Sequence, residues 1–226
     1  MRWHDAAVTR PVETQFGRLL PRSFFGRPAD EVAPDLIGRI VVAPDTGVAV
    51  RLTEAEAYAG PADPASHAFR RTPRSEVMYG PPGYAYVYFV YGMHWCANIV
   101  TGPDGSASAV LLRAADVVDG AALLAAARPG VPSHRLACGP AALARVLGLT
   151  GADTGADLIG AGARLELRMG SPERPTVACS PRVGVSVAED VPWRFFDADA
   201  LSVSSYRRGT KASRTDARGA RPHAGE

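Results

Sequence analysis

The chain has 226 residues, 46% hydrophobic and 21% charged, with a formal net charge of +2. That length and composition fit one ordinary globular domain with a full core. No apolar run is long enough to span a membrane, no signal-like apolar core follows the N-terminus with its Asp5 and Glu13, and the widely spaced Cys96, Cys138 and Cys179 suit neither a disulfide framework nor a zinc cluster.

The expectation is therefore a cytoplasmic protein with no membrane partner. The net charge is unevenly spread. Residues 207–226 hold six of the 25 basic residues and two of the 23 acidic ones, so the other 206 residues carry a net charge of −2. An anionic partner must then meet a local patch. Lys211 is the only lysine; every other basic residue is arginine.

Residues 1–18 read as a poorly ordered N-terminal segment, 19–206 as the folded domain, and 207–226 as a disordered, Arg-rich tail. Between Pro28 and Gly38 the proline fits a helix start and the glycine a helix stop, although Pro34 leaves two short turns as an alternative. Arg39–Ala43 and Val48–Tyr58 read as strands joined by a turn at residues 44–47. On the second strand Glu54, Glu56 and Tyr58 share one face, and Thr53, Ala55 and Ala57 the other. Two carboxylates about 7 Å apart on one strand repel each other and resist burial. The pattern suits an exposed polar face, or a general base at the rim of a pocket with the tyrosine as part of its wall.

Residues 59–83 form a long loop with His67 and with Arg70, Arg71 and Arg74. The histidine suits a structural or a site role. The arginines suit surface ion pairs or a phosphate-contact site. Residues 84–101 follow, dense in aromatic and β-branched side chains, and read as a hairpin turning at Gly92. Tyr84, Tyr86 and Tyr88 fall on one face, and Tyr91 sits beside the turn, free to project. A buried phenol needs a hydrogen-bond partner, so tyrosines at alternate positions point to a polar-tipped surface or pocket, one suited to a flat, heteroatom-rich ligand such as a nucleobase. A core hairpin with an aromatic stripe is the plainer alternative.

Ala107–Ala114 reads as a third strand carrying Arg113, which is either an edge residue or a fixed charge in a site. Ala121–Arg128 and Ala141–Leu147 read as helices. Residues 150–180 are rich in Gly and Pro, with one short strand near 164–168. Residues 182–187 read as a further strand, and Trp193–Phe196 as an aromatic cluster closing the core. No dinucleotide or phosphate-loop fingerprint is present, and the His-x-Glu and Pro-Cys-x-x-Cys pattern of zinc deaminases is missing. A glycoside hydrolase using Glu54 and Glu56 fails because neighbours on one strand face cannot flank a scissile bond.

Glu54-Ala-Glu-Ala-Tyr58, His67, Tyr84–Gly92, Asn98 and Leu111-Leu-Arg113 together resemble the alkyladenine (3-methyladenine) DNA glycosylase family, as a bacterial member would, over residues 19–204. The resemblance implies a mixed α/β (α+β) fold: a single compact domain around a curved antiparallel sheet with a protruding β-hairpin, with no metal and no cofactor. It implies a monomer acting on double-stranded DNA that contains damaged purines. Glu56 matches the general base that activates water. Arg113 matches the arginine that helps hold this water, and the backbone of residues 182–185 the strand lending a carbonyl. Tyr58 would stack on one side of a flipped base, with His67 and Tyr88 on the other. Asn98 would crowd the exocyclic amine of guanine, and Tyr91 would fill the gap left in the duplex. Arg70, Arg71 and Arg74 are candidate backbone contacts. A glycosylase that also cuts the strand usually needs an amine for a Schiff base. With Lys211 confined to the tail, the expectation is a monofunctional enzyme. A non-catalytic nucleic-acid-binding module using the aromatic hairpin is the alternative.

Overall fold

A computed structural model of the chain describes residues 15–209. The first fourteen residues and the tail from residue 210 onward lie outside the described residues, and with them most of both expected terminal segments. Among the described residues eight strands form one open antiparallel sheet with few helices around it. The expected mixed α/β architecture is thus present.

The strands are β1 (Ile40–Ala43), β2 (Val48–Tyr58), β3 (Ala85–Val90), β4 (His94–Thr101), β5 (Ser108–Asp119), β6 (Glu166–Arg168), β7 (Val177–Ser180) and β8 (Arg194–Asp197). Their order is β3-β4-β5-β2-β1-β6, with β8 joining β2 beyond the end of β1 and β7 pairing with β8. β2 is therefore flanked on both sides over Glu54–Glu56, by β5 and by β8. Its burial follows: apart from Arg51 and Tyr58, every residue of β2 is buried. An exposed polar face for Glu54 and Glu56 is excluded.

Two irregularities between β2 and β5 aim the site. Leu52 pairs with Ala115 and Glu54 with Ala114, so Thr53 is an extra residue in β2. Glu54 and Ala55 then face Ala114 and Leu112, so Arg113 is an extra residue in β5. Such bulges bend a strand and turn its side chains. The core residues of β2 are Val48, Val50 and Leu52 before the first bulge, and Ala55 and Ala57 after it. The even-numbered positions thus leave the apolar face at residue 53, and Glu54, Glu56 and Tyr58 emerge on the opposite one.

Among the described residues four α-helices of a full turn or more pack around the sheet: α1 (Arg22–Phe25), α2 (Ala29–Leu36), α3 (Ala121–Ala127) and α4 (Pro140–Val146). α2 is one helix despite Pro34; it buries Ala29, Val32, Ala33 and Leu36, the spacing of a single apolar stripe. The main core lies between this stripe, α4 and the sheet, while Met78, Tyr86, Val100 and Ala109 belong to a second, smaller cluster beneath the hairpin.

Three expectations need correction. β5 runs on to Asp119 rather than ending at Ala114. The stretch 150–180 holds two strands, because β7 pairs with β8. Residues 182–187 form an irregular loop, not a strand. The N–H groups there are committed elsewhere: Val183 donates to the Glu56 carboxylate (2.7 Å), and Gly184, at φ +74°, donates to the Arg207 carbonyl (2.8 Å). Both donors are thereby taken out of ladder register.

Candidate active site

β2, the loop after it, β3, β4, β5 and the 183–187 loop enclose a cavity of about 1030 Å³. Tyr58, His67, Arg74, Tyr88, Tyr91, Asn98 and Arg113 all line it. Sequence positions spread over more than fifty residues thus converge on one hollow. Arg70 and Arg71 do not reach it: both are exposed, and Arg71 pairs with Glu76 and lies 4.4 Å from the Tyr79 ring centroid.

A cluster of buried charges lies just behind the wall. Glu56 has no exposed surface. Its Oε1 accepts from the Val183 N–H (2.7 Å), and its Oε2 accepts from the Tyr58 hydroxyl (2.8 Å) and faces Arg113 Nη1 at 3.3 Å. All three donors belong to cavity-lining residues. A carboxylate has about four acceptor positions, so one stays uncommitted. It is the Val183 N–H, not a carbonyl, that the 182–185 segment is seen to direct at Glu56.

Arg113 is buried and divides its guanidinium. Nε donates to Glu54 Oε1 (2.8 Å), Nη2 to Ser204 Oγ (3.2 Å), and Nη1 faces Glu56. Burial pulls its pKa down, but the charges of Glu56 and Glu54 outweigh that and hold it above the ordinary arginine value. Glu54 is also fully buried. Its Oε1 accepts from Arg194 Nε (2.7 Å) and Ser204 Oγ (2.9 Å), and its Oε2 from the Ser204 N–H (2.7 Å). Burial pushes the Glu54 carboxyl up, yet Arg113, Arg194 and these hydrogen bonds bring it below the ordinary glutamate value.

The aromatic wall is equally fixed. Arg182, fully buried, forks onto both oxygens of Asp63 and lies 4.7 Å from the Tyr58 ring centroid. One face of that ring is thereby covered, and the residue still borders the cavity. Burial, then the Glu56 charge, raises the Tyr58 phenol well above its usual value, so it stays a donor. His67 meets Tyr88 edge-on at 4.6 Å, and its Nδ1 is 2.9 Å from the Tyr86 hydroxyl. Desolvation and the Arg74 charge hold the imidazole below its ordinary value, which keeps it neutral at neutral pH. Asn98 donates Nδ2 to the Tyr86 carbonyl (3.0 Å), which sets its amide plane.

At the hairpin tip Tyr91 is 85% exposed. Both Tyr91 (φ +53°) and Gly92 (φ +67°) are left-handed, and Met93 N–H closes the turn on Val90 O (3.3 Å). Primed hairpin turns have this form and favour Asn-Gly. A tyrosine there is strained.

Sequence reasoning missed Glu54, Arg194 and Ser204 as one network, and Arg182 and Asp63 as the support behind Tyr58. The glutamate was visible beside Glu56. Its partners lie 59, 140 and 150 residues away, where no local pattern reveals them.

The family model described as methylpurine-DNA glycosylase matches residues 23–200. A Burkholderia lata protein provisionally named 3-methyladenine DNA glycosylase is 48% identical over 198 residues, covering 86% of this chain and 93% of its own. A Streptomyces avermitilis protein of the same name is 48% identical over 202 residues, covering 86% and 95%. A third, from Frankia casuarinae, is 48% identical over 195 residues, covering 81% and 91%. With the family model and these relatives matching nearly the whole described region, the chain belongs to the methylpurine-DNA glycosylase family.

Proposed function

We propose that this protein is a monofunctional DNA glycosylase that, as a monomer, extrudes alkylated or deaminated purines from double-stranded DNA and hydrolyses the bond between base and sugar. The observation that supports this most is Glu56: a fully buried carboxylate whose three donors all come from the wall of one aromatic cavity.

A base inside the stack is out of reach, so it must leave the duplex at a cost of a few kcal/mol. Tyr91, exposed and held outward by its strained turn, fills the gap and slows return. The extruded base lies between Tyr58 and the His67–Tyr88 pair. Each stacked base gains roughly 1–3 kcal/mol. Asn98, with its amide plane fixed, leaves no room for the exocyclic amine of guanine.

The attacking water occupies the fourth acceptor position of Glu56. Because the carboxylate has no exposed surface, water reaches it only when a wall group shifts. The water oxygen bonds to C1′ of the sugar, and the electron pair of the glycosidic bond leaves with the base. Glu56 takes the proton. The products are a free base and an abasic sugar hydroxyl. A cationic alkylated purine leaves as a neutral base, which weakens the bond in advance; a neutral deaminated purine leaves as an anion and takes its proton from solvent water. The anionic Glu56 stabilises positive charge growing at the sugar. No lysine occurs before Lys211, which supports hydrolysis without a Schiff base.

The test is Glu56→Gln on duplexes each carrying one defined lesion: 3-methyladenine, 7-methylguanine, hypoxanthine or ethenoadenine. Base release should fall by about 10³-fold while lesion-duplex affinity holds. A wild-type protein that binds these duplexes and releases no base is a binding module instead. Covalent trapping by borohydride would refute the monofunctional reading.

A further inference from the structure

We propose that Glu54 is a positioning residue: it holds Arg113 open so that Glu56 keeps an acceptor position for water, and it balances the charge that Glu56 meets. This rests on the reading of Glu56 as the general base.

Two buried arginines beside the cavity behave differently. Arg182 faces a single carboxylate and closes on it as a fork, Nη1 and Nη2 to the two oxygens of Asp63. Planar two-pronged pairing is the preferred arrangement for guanidinium and carboxylate. Arg113 does not do this to Glu56. It gives Nε to Glu54 and Nη2 to Ser204, and only Nη1 points at Glu56, at a loose 3.3 Å. Were Arg113 free to fork, it would fill the acceptor position that water needs. Glu54 prevents that by gripping Nε. Arg194 and Ser204 fix Glu54 in turn.

Charge agrees with geometry. Tyr58 on β2, Tyr88 on β3 and Cys96 on β4 face Glu56, and burial holds each in its neutral form. The charged groups that remain around it are Glu54, Arg113 and Arg194, and Arg182, which Asp63 offsets. Two anions, Glu54 and Glu56, meet two cations, Arg113 and Arg194. Removing Glu54 makes the charge around Glu56 more positive. Removing Arg194 does the reverse.

The experiment is single-turnover base release across pH for wild type, Glu54→Gln, Arg194→Gln, Ser204→Ala and Glu56→Gln, with lesion-duplex affinity measured alongside. Glu54→Gln should slow the plateau about tenfold or more and move the acid limb about one pH unit lower. Arg194→Gln should move the limb upward. Ser204→Ala, which changes no charge, should slow the plateau and leave the limb in place. Affinity should hold throughout. An acid limb that stays put in Glu54→Gln overturns the proposal, whatever the plateau does. If that variant does not fold, an unmoved limb in Arg194→Gln overturns it equally. Retained release in Glu56→Gln sinks the parent reading instead, while an inactive Glu56→Gln with no opposed shifts sinks this inference alone.

Discussion

The cavity floor and the hairpin tip sit on one sheet and obey opposite rules. On the floor Glu54, Glu56, Arg113, Arg182 and Arg194 are all nearly or wholly buried, each with charged and hydrogen-bonded partners. At the tip Tyr91 is 85% exposed, on backbone that a tyrosine rarely adopts. Buried charges are tolerated only where every partner is fixed, and the same fixing holds a catalytic group in place before the reaction. Insertion into a duplex needs the reverse, a large side chain with no partner to leave. One region has its energy in its contacts; the other stores strain at an exposed ring, as the proposed insertion into DNA requires.

Breaking the floor should produce the largest effects. Asp63 accepts from Arg182, Ala59 and Ala65, and Asp63→Ala strands Arg182 in the interior. Losing one partner of a buried pair costs about 3–5 kcal/mol. Urea denaturation should show that loss. Release should fall too, because the support behind Tyr58 goes with it. Acid should act on the same region. The Glu54 carboxyl is held below the ordinary glutamate value of 4.5. A depressed carboxyl contributes stability that is present above the unfolded-state value and is lost as pH falls through the folded-state one. The urea midpoint should therefore drop as pH is lowered below 4.5, and Glu54→Gln should show less of that drop. An equal drop in both proteins would assign the acid sensitivity to other carboxylates.

The two regions also differed in how much the sequence revealed. The hairpin is local: aromatic and β-branched density with a glycine at the turn marked β3, β4 and Tyr91 without outside help. The Glu-Ala-Glu-Ala-Tyr alternation likewise placed Glu56 and Tyr58 on one face, and the structure brings them into a direct hydrogen bond. Alternation could not say whether that face was wet or buried. The answer depends on β8, on two bulges at Thr53 and Arg113, and on Ser204. These are long-range facts. The loop at 182–187 misled for a related reason: its valines have strand propensity, but the Val183 and Gly184 N–H groups serve Glu56 and Arg207. Propensity is a weak prior where side chains and carbonyls compete for backbone donors.

Tyr91→Gly tests the tip and should give a gain and a loss together. Glycine removes the left-handed strain, so the fold should be more stable by about 1 kcal/mol. Lesion-duplex affinity should fall about tenfold as the inserted ring is lost. A variant that gains no stability means the turn relaxes freely around tyrosine. A variant that keeps its affinity means another residue fills the duplex.

The smallest effect belongs to the C-terminal side. Arg207 and Arg208 line the cavity, and Arg208 pairs with Glu189 at 2.9 Å. Beyond them Lys211, Arg214, Arg218 and Arg221 lie outside the described residues. Each phosphate contact contributes close to one unit to the slope of log affinity against log salt. Ending the chain after Gly209 should therefore flatten that slope while release at saturating protein holds, because the cavity wall is intact. Ending it after Tyr206 should flatten the slope further and slow release, since the Arg207 carbonyl that accepts from Gly184 beside Val183 is gone. Equal slopes in all three lengths would confine DNA affinity to the cavity and the hairpin.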